Sequence, residues 1–147
     1  LKMILEGSNE NQAMQAAAMV GHGVLVPGSG LALSGGMAIG GIELAEPADR
    51  VTVTIKDASG IAVRTLELGG SEAGSHGIAW DGKTDGGAQA ADGAYSISVS
   101  AQRGNAKVGA KALELGMVSS VVRTSDGVSL NVGALGAFRM SDIRQIL

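Results

Sequence analysis

From Val51 to Lys56 apolar and polar positions alternate without a break, Val51, Val53 and Ile55 against Thr52, Thr54 and Lys56. That period of two predicts a half-buried strand. Asp57-Ala58-Ser59-Gly60 supplies its turn. The returning strand, Ile61 to Leu68, carries Val63 and Leu66 out of phase, so both face inward only across a bulge near Arg64-Thr65. After a glycine-rich loop from Gly69 to Gly74, His76 to Trp80 reads as a strand and Asp81 to Gly87 as a tight turn. Tyr95, Ile97, Val99 and Ala101 then alternate with serines in a long strand. Short antiparallel strands at this spacing predict a β-sandwich.

The flanks differ. Met14, Ala17 and Ala18 make a helical face, and Ser8 stands where it would cap a linker helix from Asn9 to Met19, while Leu1, Ile4 and Leu5 sit at helical spacing before Gly7. From Gly21 short strands joined by glycine, His22 to Val26, Leu31 to Leu33 and Met37 to Leu44, predict a small barrel. Polar breaks at Glu46-Pro47-Ala48-Asp49 and Arg103-Gly104-Asn105 read as linkers and place domain junctions. Beyond the second, Lys107 to Leu115, Met117 to Val122 and Val128 to Val132 return to strands, the last two joined at Ser125-Asp126-Gly127. Ser141 caps a final helical turn carrying Ile143, Ile146 and Leu147.

Composition narrows the function. Only 2% of the 147 residues are aromatic while 24 are glycine, which describes a structural chain more than a catalytic one. A net charge of −3 provides no basic stripe for nucleic acid or an anionic membrane. The absence of cysteine removes disulfides, thiol nucleophiles and cysteine metal sites. Every apolar stretch is interrupted before the roughly 18 residues of a membrane span. The chain opens at Leu1 and shows no signal peptide, which reads as a processed product or a fragment.

Candidate chemistry is thin. Asp81, Lys83, Asp85, Gly86 and Asp92 fall at calcium-loop positions, but a lysine occupies a ligand position, an aspartate closes the loop where a bidentate glutamate belongs, and strands flank it. Ser75 and His76 are adjacent, so on an extended chain they point to opposite faces, away from triad geometry. His22 and His76 with scattered carboxylates make a weak case for metal. Gly28-Ser29-Gly30 with Gly35 and Gly36 lacks the strand-to-helix setting of a phosphate loop and reads as a flexible turn. Met14, Met19, Met37 and Met117 read as core filler. No catalytic residue, metal site or cofactor is expected.

The ordered set Val53-Thr54-Ile55-Lys56-Asp57-Ala58-Ser59-Gly60, Val63-Arg64-Thr65-Leu66, Ala73-Gly74, Trp80-Asp81-Gly82 and Asp92-Gly93-Ala94-Tyr95 resembles the C-terminal part of the bacterial flagellar hook-capping family. Val20-Gly21, Gly116-Met117-Val118 and the terminal Asp142-Ile143 are also placed as in that family, so the resemblance covers nearly all of Val20 to Leu147. It implies an all-β fold: a fibronectin type III-like sandwich over residues 47–105, inserted into a Tudor-like small barrel over 20–46 plus 106–147, with residues 1–19 as the linker helix. It further implies a scaffold exported by the flagellar type III apparatus to the tip of the growing hook. Its partners would be hook protein subunits and further copies of itself, with no enzymatic activity.

The motif residues themselves carry structural expectations. Trp80 belongs in the sandwich core with its ring nitrogen bonded, Asp81 serves its own turn, Gly82 permits a positive φ, Gly93 opens a strand, and Tyr95 buries its ring while its hydroxyl reaches a loop backbone. A second reading is an immunoglobulin-like carbohydrate-binding or sorting module of a secreted bacterial protein. It would need exposed rings, and the chain has only Trp80, Tyr95 and Phe138 to offer.

Overall fold

The computed structural model describes residues 14–125 and 127–147, and these form two compact units, one spanning Pro27–Leu115 and the other combining the described residues up to Val26 with Gly116–Leu147. Strands dominate both.

The first unit is a sandwich. Its alternating segment forms β4 (Arg50–Lys56), with Val51, Val53 and Ile55 fully buried. On one side β4 pairs with β7 (Gly93–Arg103), matching Val51 to Ala101, Val53 to Val99 and Ile55 to Ile97, so both strands direct the same face inward. On its other side lies β5 (Ala62–Glu67), while β2 (Gly30–Leu33) and β8 (Ala106–Val108) also pair with β7. In the second sheet β3 (Ala38–Leu44) pairs antiparallel with β6 (Gly74–Trp80) and with β9 (Ala110–Met117). Leu31, Val53, Ile55 and Ile97 from one sheet meet Ile42, Ile78 and Trp80 from the other in a single apolar core.

The expected boundaries at 47 and 105 both fall inside this unit. Residues 27–46 and 106–115, assigned from sequence to the barrel, contribute β2, β3, β8 and most of β9 to the sandwich. The two supposed linkers are bonded to each other. The Asp49 amide donates to the Gln102 carbonyl at 2.7 Å, and its Oδ2 accepts the Gly104 amide at 2.7 Å. Ala48 is buried and exchanges two 2.9 Å backbone bonds with Ser71. Arg103-Gly104-Asn105 is therefore the turn of the β7–β8 hairpin, and its polarity reflects exposure, not a change of domain.

The bulge lies one residue earlier than expected. Ile55 faces Arg64 and Lys56 faces Ala62, which leaves Val63 as the extra residue. Val63 and Leu66 both pack against the core.

The second unit is smaller. Here β1 (Gly23–Pro27) pairs with β13 (Gln145–Ile146), and β10 (Ser120–Thr124), β11 (Gly127–Asn131) and β12 (Ala137–Arg139) form a meander. Residues 14–19 are helical; 9–13 of the expected helix, the apolar residues before it, and Asp126 lie outside the described residues. The helix buries Ala16 and partly Met19, whereas Met14, Ala17 and Ala18, the expected apolar face, are exposed. The terminal segment also departs from expectation. Met140–Asp142 is a 3-10 turn, and Ile146 follows in β13, because the chain there finds an open edge on β1.

Candidate functional site

Where β6 ends, Trp80 enters the sandwich core with 2% of its surface exposed. Its indole needs a partner for the ring N–H, and the chain supplies one three residues on: Nε1 donates to the Lys83 carbonyl at 2.9 Å. That carbonyl is brought back by an Asx turn in which Asp81 Oδ1 accepts the Lys83 amide at 3.0 Å. Gly82 adopts φ +78°, and a Cβ there would also come within 3.0 Å of Leu33 Cδ1, so the position requires glycine on both counts. Across the sheets the Tyr95 ring meets Trp80 edge to face, with centroids 5.1 Å apart and planes at 74°. The Tyr95 hydroxyl donates to the Ala91 carbonyl at 2.6 Å. Gly93, two residues before it, starts β7 at φ +148°.

The five motif residues thus form one corner. Its polar atoms serve local turns, leaving no donor or acceptor of Trp80 aimed at a ligand.

The loop beyond the corner disperses its carboxylates. Asp85 Oδ1 accepts the Thr65 amide at 3.1 Å and lies 3.8 Å from Arg64 Nε, while the Asp85 amide donates to the Val63 carbonyl at 3.0 Å. Asp92 Oδ2 accepts the Gly35 amide at 3.2 Å. Asp81, Asp85 and Asp92 therefore bond to three separate backbone segments, which is not a calcium cage. Among the described residues no three His, Asp or Glu side chains are grouped to hold a metal. His76 Nε2, on β6, lies 2.7 Å from the Glu72 carbonyl, a local contact with the loop that precedes the strand.

Three interactions went unread in the sequence. Asp49 was read as part of a linker and Asp85 as a poor calcium-loop position, and neither reading showed the backbone amide that each carboxylate holds. The third is Glu114 on β9, whose Oε1 accepts the Gly30 amide at 2.9 Å. A Cβ on Gly28 or Gly30 would stand 2.7 Å from that carboxylate. Gly28-Ser29-Gly30 is thus a seat for Glu114 and not a flexible turn; the glycine pair was the signal, but its acidic partner is 84 residues away. The four methionines read as core filler also need correcting: Met14, Met37 and Met117 are 72%, 56% and 54% exposed, and of the four only Met19 packs against a core.

Fold and site together define an all-β, sandwich-bearing chain whose motif residues hold its own corner. The FlgD Ig-like domain family matches residues 28–105, over half of the chain, and the chain belongs to that family. Named relatives agree. The basal-body rod modification protein FlgD of Salmonella typhimurium is 37% identical over 147 residues, covering 95% of this chain and 63% of the relative. Its Escherichia coli K12 counterpart is 35% identical, covering 95% and 64%. A solved structure of FlgD from Xanthomonas campestris, described in terms of hook capping essential for flagellar assembly, is 33% identical with a TM-score of 0.70 and covers 92% of this chain and 99% of that one. The chain spans just under two thirds of the length of the full relatives.

Proposed function

We propose that this chain is the β-rich region of a hook-capping scaffold, which acts at the distal end of the growing hook by contact with hook subunits and with further copies of itself. The observation that carries this reading is the family membership, extended by similarity to FlgD proteins over 95% of the chain. The corner geometry supports it from the chemical side. Trp80, Asp81 and Tyr95 are spent on internal bonds, as suits a module that works by shape. In this reading the protein reaches the hook through flagellar type III export and performs no catalysis, and the smaller unit is the Tudor-like partner of the sandwich.

The carbohydrate-binding alternative has no such support. Its platform would need exposed rings, yet Trp80 is buried and Tyr95 and Phe138 are half-buried.

The test is deletion of the gene encoding this chain, with electron microscopy of the hooks and assay of unassembled hook protein in the medium. The expected result is loss of hooks with hook protein released. Normal hooks in the deletion strain would overturn the reading.

A further inference from the structure

Met37 carries its thioether into solvent, and the backbone explains why. Ser34 and Met37 close a tight hairpin turn through two reciprocal bonds, the Ser34 amide to the Met37 carbonyl at 3.0 Å and the Met37 amide to the Ser34 carbonyl at 3.2 Å. Between them Gly35 and Gly36 take positive φ of 61° and 78°, and the Gly35 amide is tied to Asp92 Oδ2. The turn hands the chain to β3 with Ala38 buried, so alternation sends Met37 and Ile39 to the outer face. Ile39 is exposed, and so is Ala79, which stands opposite it on β6. The outer face of the hairpin is therefore apolar, with a sulfur at its head.

Access to that sulfur is open. The two residues before Met37 have no side chain, and a Cβ on either would meet nothing within 4 Å. Its backbone bonds are already made, so the turn does not depend on what the side chain touches. A thioether also differs from the other apolar groups of the face in its chemistry, since its lone pairs take up oxygen.

We infer that Met37 is a reversible oxidation site, where a hydroperoxide converts the thioether to a sulfoxide while the sandwich stays folded, and the outer face of the β2–β3 hairpin changes from apolar to polar. A sulfur lone pair attacks one oxygen of hydrogen peroxide, an S–O bond forms as the O–O bond breaks, and the proton of the attacked oxygen passes to the other, which leaves as water. Sulfur gives up two electrons and the peroxide takes them. Repair runs the other way: a sulfoxide reductase using a dithiol returns the thioether, with a disulfide and water as products. The fold tolerates the new S–O dipole because it stands in water. Met19 and Met140 provide the contrast, for both pack against the core of the smaller unit, where such a dipole would be buried. Met14 and Met117 are as open to peroxide as Met37, but Met37 belongs to the sandwich, where Ile39 and Ala79 extend its apolar surface. This assignment goes beyond the hook-cap reading and stands without it.

The test treats the full chain with dilute hydrogen peroxide and follows each methionine by peptide mass spectrometry. The Met37 peptide should gain one oxygen while the Met19 and Met140 peptides remain unmodified. Urea unfolding of the protein stopped at that stage should keep its midpoint. Met37→Leu, which preserves apolar bulk and takes up no oxygen, isolates the consequence. After peroxide, native hydrophobic-interaction chromatography should elute the wild-type chain earlier than the leucine variant, and a methionine sulfoxide reductase with dithiothreitol should remove the difference. Three outcomes would overturn the inference: Met37 oxidised no faster than Met19, a urea midpoint lowered in the oxidised wild type and not in oxidised Met37→Leu, or equal retention of the two oxidised proteins. None of these bears on hook formation in the deletion strain, so the two readings fail separately.

Discussion

The sandwich and the smaller unit solve the problem of a scarcely aromatic sequence in opposite ways. The sandwich concentrates volume: Trp80 and Tyr95 meet at 5.1 Å, and a ring of turn bonds from Lys83, Asp81 and Ala91 fixes them. The smaller unit removes volume. Ala16 is fully buried in its core, and a Cβ on Gly116 would overlap Val132 Cγ1 and stand 2.9 Å from Leu135 Cδ1. One core depends on a side chain that is present, the other on side chains that are absent, and each is most vulnerable where its own device is reversed.

The largest effect is expected from Trp80→Ala. Truncating a fully buried aromatic typically costs about 3–5 kcal/mol, by lost transfer energy and an unfilled cavity. It also strips Tyr95 of its edge-to-face partner. Urea unfolding followed by far-UV circular dichroism should show this loss; a cost below about 1 kcal/mol would mean that the corner does not anchor the sandwich.

Gly116→Ala reverses the device in the other unit. Inserting a methyl into packed space typically costs about 1–3 kcal/mol. The damage should appear first in hydrogen-exchange protection of Leu130 and the other amides of β11, while Val53 and Ile55 on β4 keep theirs. If β4 loses protection to the same extent, the two cores do not unfold separately. Gly77→Ala is the matched control, since that glycine has open space where the Cβ would go.

What the sequence disclosed follows the same division. The β4 and β7 alternation, the turn at Asp57 to Gly60 and the burial of Trp80 were readable because each is a local pattern in residues that are present. The polar breaks at 46–49 and 103–105 gave no sign of their contact with each other, because exposure makes a turn as polar as a tether and the Asp49 bond to Gly104 spans 55 residues. Glu114 was hidden for a related reason: its glycine seat is legible only to someone who knows which acid arrives there. The smaller unit was least legible. Its helix buries Ala16, whose small side chain contributes little to an apolar pattern, and its last strand is two residues long.

Within the aromatic corner a finer test separates ring from hydroxyl. Tyr95→Phe keeps the edge-to-face contact and removes the bond to the Ala91 carbonyl, so it should cost about 1 kcal/mol, the net worth of one hydrogen bond. Urea midpoints measured with Trp80 fluorescence would also report whether the indole stays buried. An effect as large as that of Trp80→Ala would shift the anchor from the ring pair to the turn.

The smallest effect is expected at Asp49, and it decides where the sandwich ends. Its carboxylate is exposed, and its bond to the Gly104 amide competes with water, so Asp49→Ala should cost only about 0.5–1 kcal/mol. Asp49→Asn, which keeps an acceptor oxygen, should recover most of it. The informative readout is local: amide exchange at Gly104 should accelerate in the alanine variant and much less in the asparagine one. A true linker would behave differently, since its backbone groups already exchange with solvent and removal of a side chain would leave their rates unchanged. Faster exchange at Gly104 therefore places both polar breaks inside one cooperative sandwich, joined by the Asp49 bonds that cross between them.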